Sequence, residues 1–410
     1  MPAFHHSLLQ VLVLGFLLTA VVADPRRQFD ANDVRPAVVH DSKGALRQQR
    51  AACPEDYSPC LCELTANGIE VTCVDIPVAD IANVFYRTRN IDLYQVVLTA
   101  SGSGSVDLPA DLLKDKRVER IYLGCQVNAS PKLGLTIASS TFEFTRFNTT
   151  VFGILNCDLA GQTDMQYLND FLILNTLRID DCDNIEAIES LPTSTLPALK
   201  EMIVVNCTGL ENVVFPDLTP ARLELLQLEG NGLTDAAVNS ILVSVASSSS
   251  SSSLQKLVLS NEYTMTKVPR IASFSKLALY DVSFNAIPFM SQSNLIFNAP
   301  VNLVGLKNIG LTAIEGGAFL GDYSKAFVYL ENNKLTEFRE DVFKSMLQQM
   351  AAQPVGTGGQ VILTGNPFDC GCGLAWLIRD NPALLPSVKD GVCGGFFSFE
   401  DLNPDSYANC

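Results

Sequence analysis

Histidine is almost missing from this chain. The three present are His5, His6 and His40, so nothing from the first cysteine, Cys53, onward carries an imidazole. That removes Ser-His-Asp and Cys-His nucleophilic catalysis from the body of the protein, with every histidine-based metal site. Phosphate-loop chemistry is lacking as well, because Gly356-Thr357-Gly358-Gly359 is not followed by the Lys-Ser/Thr pair such a loop needs. Acid pairs such as Asp180-Asp181 read as solvated charge rather than as a glycosidase pair. Positive charge is scarce: 28 Lys and Arg against 44 Asp and Glu leave a net charge of −16. That balance argues against nucleic acid and anionic membrane as partners. No catalytic residue, cofactor or metal ligand is assigned, and the chain is read as a non-enzyme.

Long apolar runs are confined to the amino terminus. Leu8 to Val22 is apolar except for Gln10 and Thr19, and Val21-Val22-Ala23 places small residues before Asp24. Residues 1–23 therefore read as a secretory signal peptide, the run being shorter than the ~20 residues a membrane span needs. With no apolar tail before Cys410, a lipid anchor is not expected either. The expected product is secreted and extracellular, without a membrane anchor. Residues 24–52 are charged and aperiodic, as in a linker or pro-segment, and Arg47-Gln48-Gln49-Arg50 fits a minimal R-x-x-R processing site.

What is present is a ladder. Leu174-x-x-Leu177-x-Ile179-x-x-Cys182 is followed by Leu199-x-x-Met202-x-Val204-x-x-Cys207, then by Leu223-x-x-Leu226-x-Leu228-x-x-Asn231. The polar rung recurs after 25 residues from Cys157 to Cys182, after 25 to Cys207, and after 24 to Asn231. This is leucine-rich-repeat spacing. Alternation gives a short strand with one buried face, and a small Asn or Cys side chain turns inward where the chain leaves the sheet. A single repeat cannot bury its leucines, so repeats stack. The fold class expected is an α/β-type leucine-rich-repeat solenoid, a curved horseshoe with a parallel concave sheet, closed by disulfide-rich N- and C-terminal caps.

The ladder continues on both sides. Ile91-x-Leu93 and Val118 to Leu123 suggest early strands, and Leu254-x-x-Leu257-x-Leu259 leads to a rung at Glu262. Leu277-x-x-Tyr280-x-Val282 leads to Asn285, and Val301-x-x-Val304-x-Leu306 to Ile309. Later rungs are Asn333 and Asn366, about ten being visible in residues 86–366. The 31-residue interval from Asn231 to Glu262 is read as a flexible Ser-rich bulge over 247–253 on the outer side.

Two cysteine sets flank the repeats. Cys53, Cys60, Cys62 and Cys73 fall in a cap over 53–85, and Cys370, Cys372, Cys393 and Cys410 in a cap over 367–410. Spacing alone leaves three pairings in each. Cys125, Cys157, Cys182 and Cys207 remain. Free thiols buried in the stack are the favoured reading, with Cys125, one place off its rung, best placed to pair. Sequons fall at Asn128, Asn148 and Asn206. Solvent-facing strand positions on the concave side include Arg178, Asp180, Ile203, Val205, Gln227, Val258, Asp281, Phe284, Phe327 and Tyr329. Several are apolar, which marks them as candidate partner-binding residues.

The cysteine sets resemble the flanking modules of extracellular leucine-rich-repeat proteins, most closely at Asn366-Pro367-Phe368-Asp369-Cys370-Gly371-Cys372-Gly373-Leu374-Ala375-Trp376-Leu377. The resemblance implies pairing of Cys53 with Cys62, Cys60 with Cys73, Cys370 with Cys393, and Cys372 with Cys410. Together with Cys53-Pro54, Pro59-Cys60-Leu61-Cys62 and the irregular early repeats, the chain looks like a group of secreted arthropod leucine-rich-repeat proteins. A named member of that group is the non-catalytic subunit of Oplophorus-luciferin 2-monooxygenase. The resemblance implies an accessory chain beside a separate catalytic one. The function expected is binding of an extracellular protein partner through the concave face. Recognition of microbial glycan or lipid, or a matrix role, are the alternatives.

Overall fold

Alternating buried and exposed side chains give each repeat a strand, and the computed structural model sets these strands side by side. It describes residues 53–89, 91–126, 130–210, 215–216, 218 and 222–410. The expected signal peptide, the 24–52 segment with Arg47 to Arg50, and Asn128 lie outside the described residues.

Fourteen strands form one sheet in chain order. They are β1 (Leu61–Leu64), β2 (Ile69–Ile76), β3 (Asp92–Ala100), β4 (Arg117–Cys125), β5 (Val151–Leu155), β6 (Thr176–Asp180) and β7 (Glu201–Val205). Then follow β8 (Leu225–Glu229), β9 (Lys256–Val258), β10 (Leu279–Asp281), β11 (Leu303–Gly305), β12 (Phe327–Tyr329), β13 (Gln360–Ile362) and β14 (Val388–Lys389). β1 is antiparallel to β2, and β2 is parallel to β3. Parallel pairing then runs from β3 through to β14.

Register puts like with like. Phe152, Leu177, Met202, Leu226, Leu257 and Tyr280 are successive cross-strand partners and are all fully buried. Each such side chain contributes about 1.5–3 kcal/mol by leaving water. The gain is collected only when a neighbouring repeat covers it, which is why the stack is contiguous.

The other side of the stack carries helices α1 (Val78–Arg87), α2 (Asp235–Ser247) and α3 (Glu340–Ala351), with 3-10 turns between them. Helices need about 10 Å of width, whereas strands sit about 4.8 Å apart, so the sheet is the narrower, inner side. Helix α2 starts at Thr234, whose hydroxyl accepts the Ala237 N–H at 3.3 Å. It buries Val238, Ile241, Leu242 and Val245, the i, i+3, i+4, i+7 face. The Ser-rich stretch is therefore not the flexible bulge expected. Its serines end α2 and form a 3-10 turn over Ser249–Ser252. Ser250 is fully buried and its hydroxyl accepts the Leu223 N–H at 3.1 Å, while the Ser253 hydroxyl donates to Leu223 O at 2.8 Å. Short hydroxyl side chains thus satisfy the Leu223 backbone in the preceding repeat.

At the amino end Cys53 is bonded to Cys62 and Cys60 to Cys73, with Cα separations of 6.0 and 4.4 Å. At the carboxyl end Cys370 is bonded to Cys393 and Cys372 to Cys410, at 5.6 and 5.2 Å. The boundary expected at residue 85 falls inside α1, and the sheet itself runs into both caps through β1, β2 and β14. Ile91, expected in the first strand, is exposed just before β3, and Leu93 is the residue that turns inward. Trp376 closes the far end: it is buried, stacks on Phe338 at 5.8 Å and donates its indole N–H to Phe338 O at 2.9 Å. Residues 53–410 thus form a leucine-rich-repeat solenoid with disulfide caps. Among the described residues, no helix is long and apolar enough to cross a membrane.

The inner face as candidate functional site

Where each strand ends, the chain turns through a left-handed residue and then a rung. Asn156, Asp181, Asn206, Gly230, Asn261, Phe284, Asn308, Asn332, Gly365 and Asp390 occupy this position, and all have φ between 50° and 76°. Asn, Asp and Gly adopt that conformation at low cost. Phe284 does not, and its φ of 61° makes it the outlier of the column. It was expected on a strand; it lies beyond β10, in the turn.

The rung side chain then serves the backbone. Asn333 accepts the Ile309 and Leu311 N–H groups at 3.1 Å and donates to Leu306 O and Leu330 O at 2.7 and 3.0 Å. Asn285 and Asn366 make the same kinds of bond. Glu262 copies the accepting half only. Its Oε2 takes the Asn231 and Leu233 N–H groups at 3.1 and 2.7 Å, while Oε1 has no hydrogen-bond partner. Burial pushes its carboxyl up to about 7, against the pull of the Leu233 and Asn231 N–H groups.

The inner surface is three columns wide. In the first, Leu279, Leu303 and Phe327 are successive partners and half-exposed, an apolar stripe facing water. The second reads Tyr122, Gly153, Arg178, Ile203, Gln227, Val258, Asp281, Gly305 and Tyr329 across neighbouring strands. Its two glycines are creases. A Cβ on Gly153 would lie 2.7 Å from the Tyr122 ring, and one on Gly305 would lie 2.2 Å from Asp281 Oδ1. Tyr122 and Asp281 therefore fold down into spaces that only glycine leaves open.

Charge is held in pairs between the second column and the residues that follow it. Arg178 donates from Nε to Asp180. Burial raises the Asp180 carboxyl although Arg178 opposes the shift. Glu229 is held by the side-chain amides of Gln227 and Asn261, at 2.8 and 2.7 Å. Lys307 pairs with Glu331 at 2.9 Å and stands 4.3 Å above the Tyr329 ring. Asp281 accepts the Ser283 N–H at 2.8 Å, and burial raises its carboxyl. Among the described residues no group of three or more His, Cys, Asp or Glu is arranged to hold a metal ion.

The residues proposed from sequence meet different fates. Val205, Gln227, Val258, Asp281, Phe327 and Tyr329 are half-exposed on β7, β8, β9, β10 and β12, and Arg178 on β6 joins them. Asp180 and Ile203 are only 5% and 8% exposed, so they underlie the surface rather than present it. Asn148 is half-buried in the turn before β5, and Asn206 is exposed at the inner edge, with Thr208 accepting the Asn184 N–H at 3.1 Å. Cys125 is bonded to Cys157 across a Cα separation of 5.1 Å, so Cys157 is not the free thiol expected. Adjacent rungs lie within disulfide reach, and Cys125 ends its strand against the Cys157 turn. Cys182 and Cys207 are free and buried. The creases, the left-handed column and the bonds made by the Glu262 rung were not recognised in the sequence, although spacing placed the rung itself. Of these, only the column had a readable signal, the Asn, Asp or Gly before each rung.

No family model and no curated protein matches this sequence. By structure it is similar to a chain of the octameric complex of Latrophilin 3 (Lec, Olf), Unc5D (Ig, Ig2, TSP1) and FLRT2 (LRR). That likeness has 15% identity and a TM-score of 0.48, over 83% of this chain and 97% of that one. It is also similar to human 5T4 (Wnt-activated inhibitory factor 1, trophoblast glycoprotein), at 15% identity and a TM-score of 0.28, over 86% and 95% of the two chains. At these levels the fold assignment rests on the repeat geometry itself.

Proposed function

We propose that this chain is a secreted, non-enzymatic recognition protein that binds an extracellular protein partner through the inner face of its sheet. The observation that carries this reading is the stripe Leu279, Leu303 and Phe327, half-exposed beside Tyr329 on the inner face. Apolar side chains in register on a solvent face mark an interaction surface, and aromatic residues dominate such surfaces energetically. Five disulfides support an oxidising, extracellular setting. The expected signal peptide and the sequons at Asn128, Asn148 and Asn206 belong to the same reading. Its finer form is an accessory, non-catalytic subunit that accompanies a separate catalytic chain, supported by the absence of histidine from residue 53 onward.

The test is affinity capture on the full secreted chain from its native secretion, with the Leu303→Arg/Tyr329→Ala variant run alongside. One stoichiometric protein retained by the native chain and lost from the variant is the expected result. Equal retention on both would remove the inner face from the reading. Capture of glycolipid, or only of the chain itself, would replace it with microbial recognition or a matrix role.

A further inference from the structure

Away from the inner face, exposed apolar side chains gather on one flank. Phe147 is 53% exposed and Leu172 45%, and they are flanked by Phe144 and Ile173. Phe147 and Leu172 hold the same place in adjacent repeats. The same offset separates the strand partners Val151 and Thr176. Arg146 ties the two repeats to each other through Asp170 at 3.5 Å and lies over the Phe147 ring at 4.9 Å. Apolar side chains at this exposure in equivalent places of adjacent repeats mark a strip of surface suited to contact with another group.

The sequence places a candidate cover inside the strip. One repeat before Ile173, the equivalent position is Asn148, the acceptor of the sequon Asn148-Thr149-Thr150. We propose that an N-linked glycan on Asn148 is the cover, its innermost N-acetylglucosamine units lying along Phe147, Leu172 and Ile173. Attachment joins Asn148 Nδ2 to the sugar C1. The diphosphate of the activated oligosaccharide donor is the leaving group, and the amide gives up one proton. A pyranose ring has an apolar C–H face and a hydroxyl rim, so it packs on an aromatic ring while its rim stays in water.

Tethering decides between this occupant and a protein. A sugar rooted in the strip acts at the high effective concentration of an intramolecular contact, and a partner would have to displace it. The root is also fixed. The Thr149 hydroxyl donates to Val118 O at 2.8 Å and that of Thr150 to Glu119 O at 3.3 Å, so the backbone carrying Asn148 is pinned to the preceding repeat.

The experiment uses the full chain secreted from a glycosylating eukaryotic culture. Glycopeptide mapping reads occupancy of Asn148. Hydrophobic-dye binding and amide exchange over 144–150 and 170–174 are then compared between the native chain and Asn148→Gln. Should the variant not be secreted, enzymatic removal of the glycan from the folded native protein gives the same comparison. Expected are an occupied Asn148, a several-fold rise in dye binding without the glycan, faster exchange in both segments, and reversal of the dye signal on adding Phe147→Ser. An unoccupied Asn148 overturns the proposal. So does loss of the glycan with dye binding and exchange unchanged. Neither readout involves the inner face, so either result leaves the partner-binding reading where it stands.

Discussion

Two stretches of this solenoid solve one problem with different atoms. From Asn285 to Asn366 the rungs at 285, 333 and 366 are amides, and Asn333 alone makes four bonds of 2.7–3.1 Å to backbone groups on either side. From Cys157 to Cys207 the rungs are sulfur. Cys207 accepts the Cys182 N–H at 3.4 Å and donates to Val205 O at 3.2 Å and Ile179 O at 3.6 Å, while Cys182 reaches Asp180 O at 3.3 Å and Ile154 O at 3.8 Å. The sulfur bonds follow the same path with longer, weaker contacts. The amide stretch is therefore held by directional hydrogen bonds. The sulfur stretch depends more on apolar stacking, with one covalent link from Cys125 to Cys157 added at its start.

Breaking the amide side should cost most. Asn333→Ala leaves the Ile309 and Leu311 N–H groups and Leu306 O buried without partners, Leu330 O still accepting from Asn366, and the expected loss is about 3–5 kcal/mol by denaturant unfolding. Faster amide exchange should be confined to residues near 306–335. Next comes the covalent link. Cys125→Ala/Cys157→Ala opens a link of sequence separation 32, and chain entropy predicts a loss of about 3–4 kcal/mol. A double variant as stable as the native chain would show that the link adds nothing to the sulfur stretch.

The third prediction concerns the rung between the two stretches. The Glu262 carboxyl sits at about 7 when folded against an ordinary value of 4.5, so the folded state holds its proton more tightly than the unfolded chain does. Its stabilising contribution is complete below pH 4.5 and is lost as pH rises to 7, an expected decline of about 2–3 kcal/mol. Burial shifts the carboxyls of Asp180 and Asp281 the same way, so they add to the slope. Glu262→Gln should flatten the profile, and an unchanged slope in that variant would assign it to those other carboxyls. The smallest effect is expected from Cys182→Ala, about 1–2 kcal/mol for a small buried side chain with weak bonds. If it matched the loss from Asn333→Ala, the contrast between sulfur and amide rungs would disappear.

The inward columns were legible because burial constrains them: Leu177, Met202 and Leu226 must be apolar whatever their neighbours are. Rungs were legible wherever Asn or Cys stood in them. Glu262 was placed at its rung by spacing, but its bonds depend on length of side chain and on Asn231 and Leu233 opposite. Helix α2 was hidden behind its serines, although Val238, Ile241, Leu242 and Val245 carry helical spacing. The inner face was the least legible part. Whether Asp180 or Ile203 reaches solvent depends on side chains a repeat away, such as Leu155 and Val205, and on Arg178 lying across the carboxylate. No single repeat contains that information.

Strand β1, the antiparallel member of the fourteen-stranded sheet, has a consequence of its own. A parallel sheet assembled from near-identical rungs is a template with two growing ends, each offering the hydrogen-bonding row that the next rung would fill. In the language of polymer chemistry, the caps are chain stoppers. Reversing β1 against β2 presents the wrong polarity for another rung, and the Cys53–Cys62 and Cys60–Cys73 bonds lock that reversal in place. At the other end β14 is only two residues long and is followed by a hairpin held through Cys370–Cys393. The disulfides thereby hold both ends of the sheet in forms that offer no place for a next rung, and reducing them is expected to expose ends able to pair with another copy.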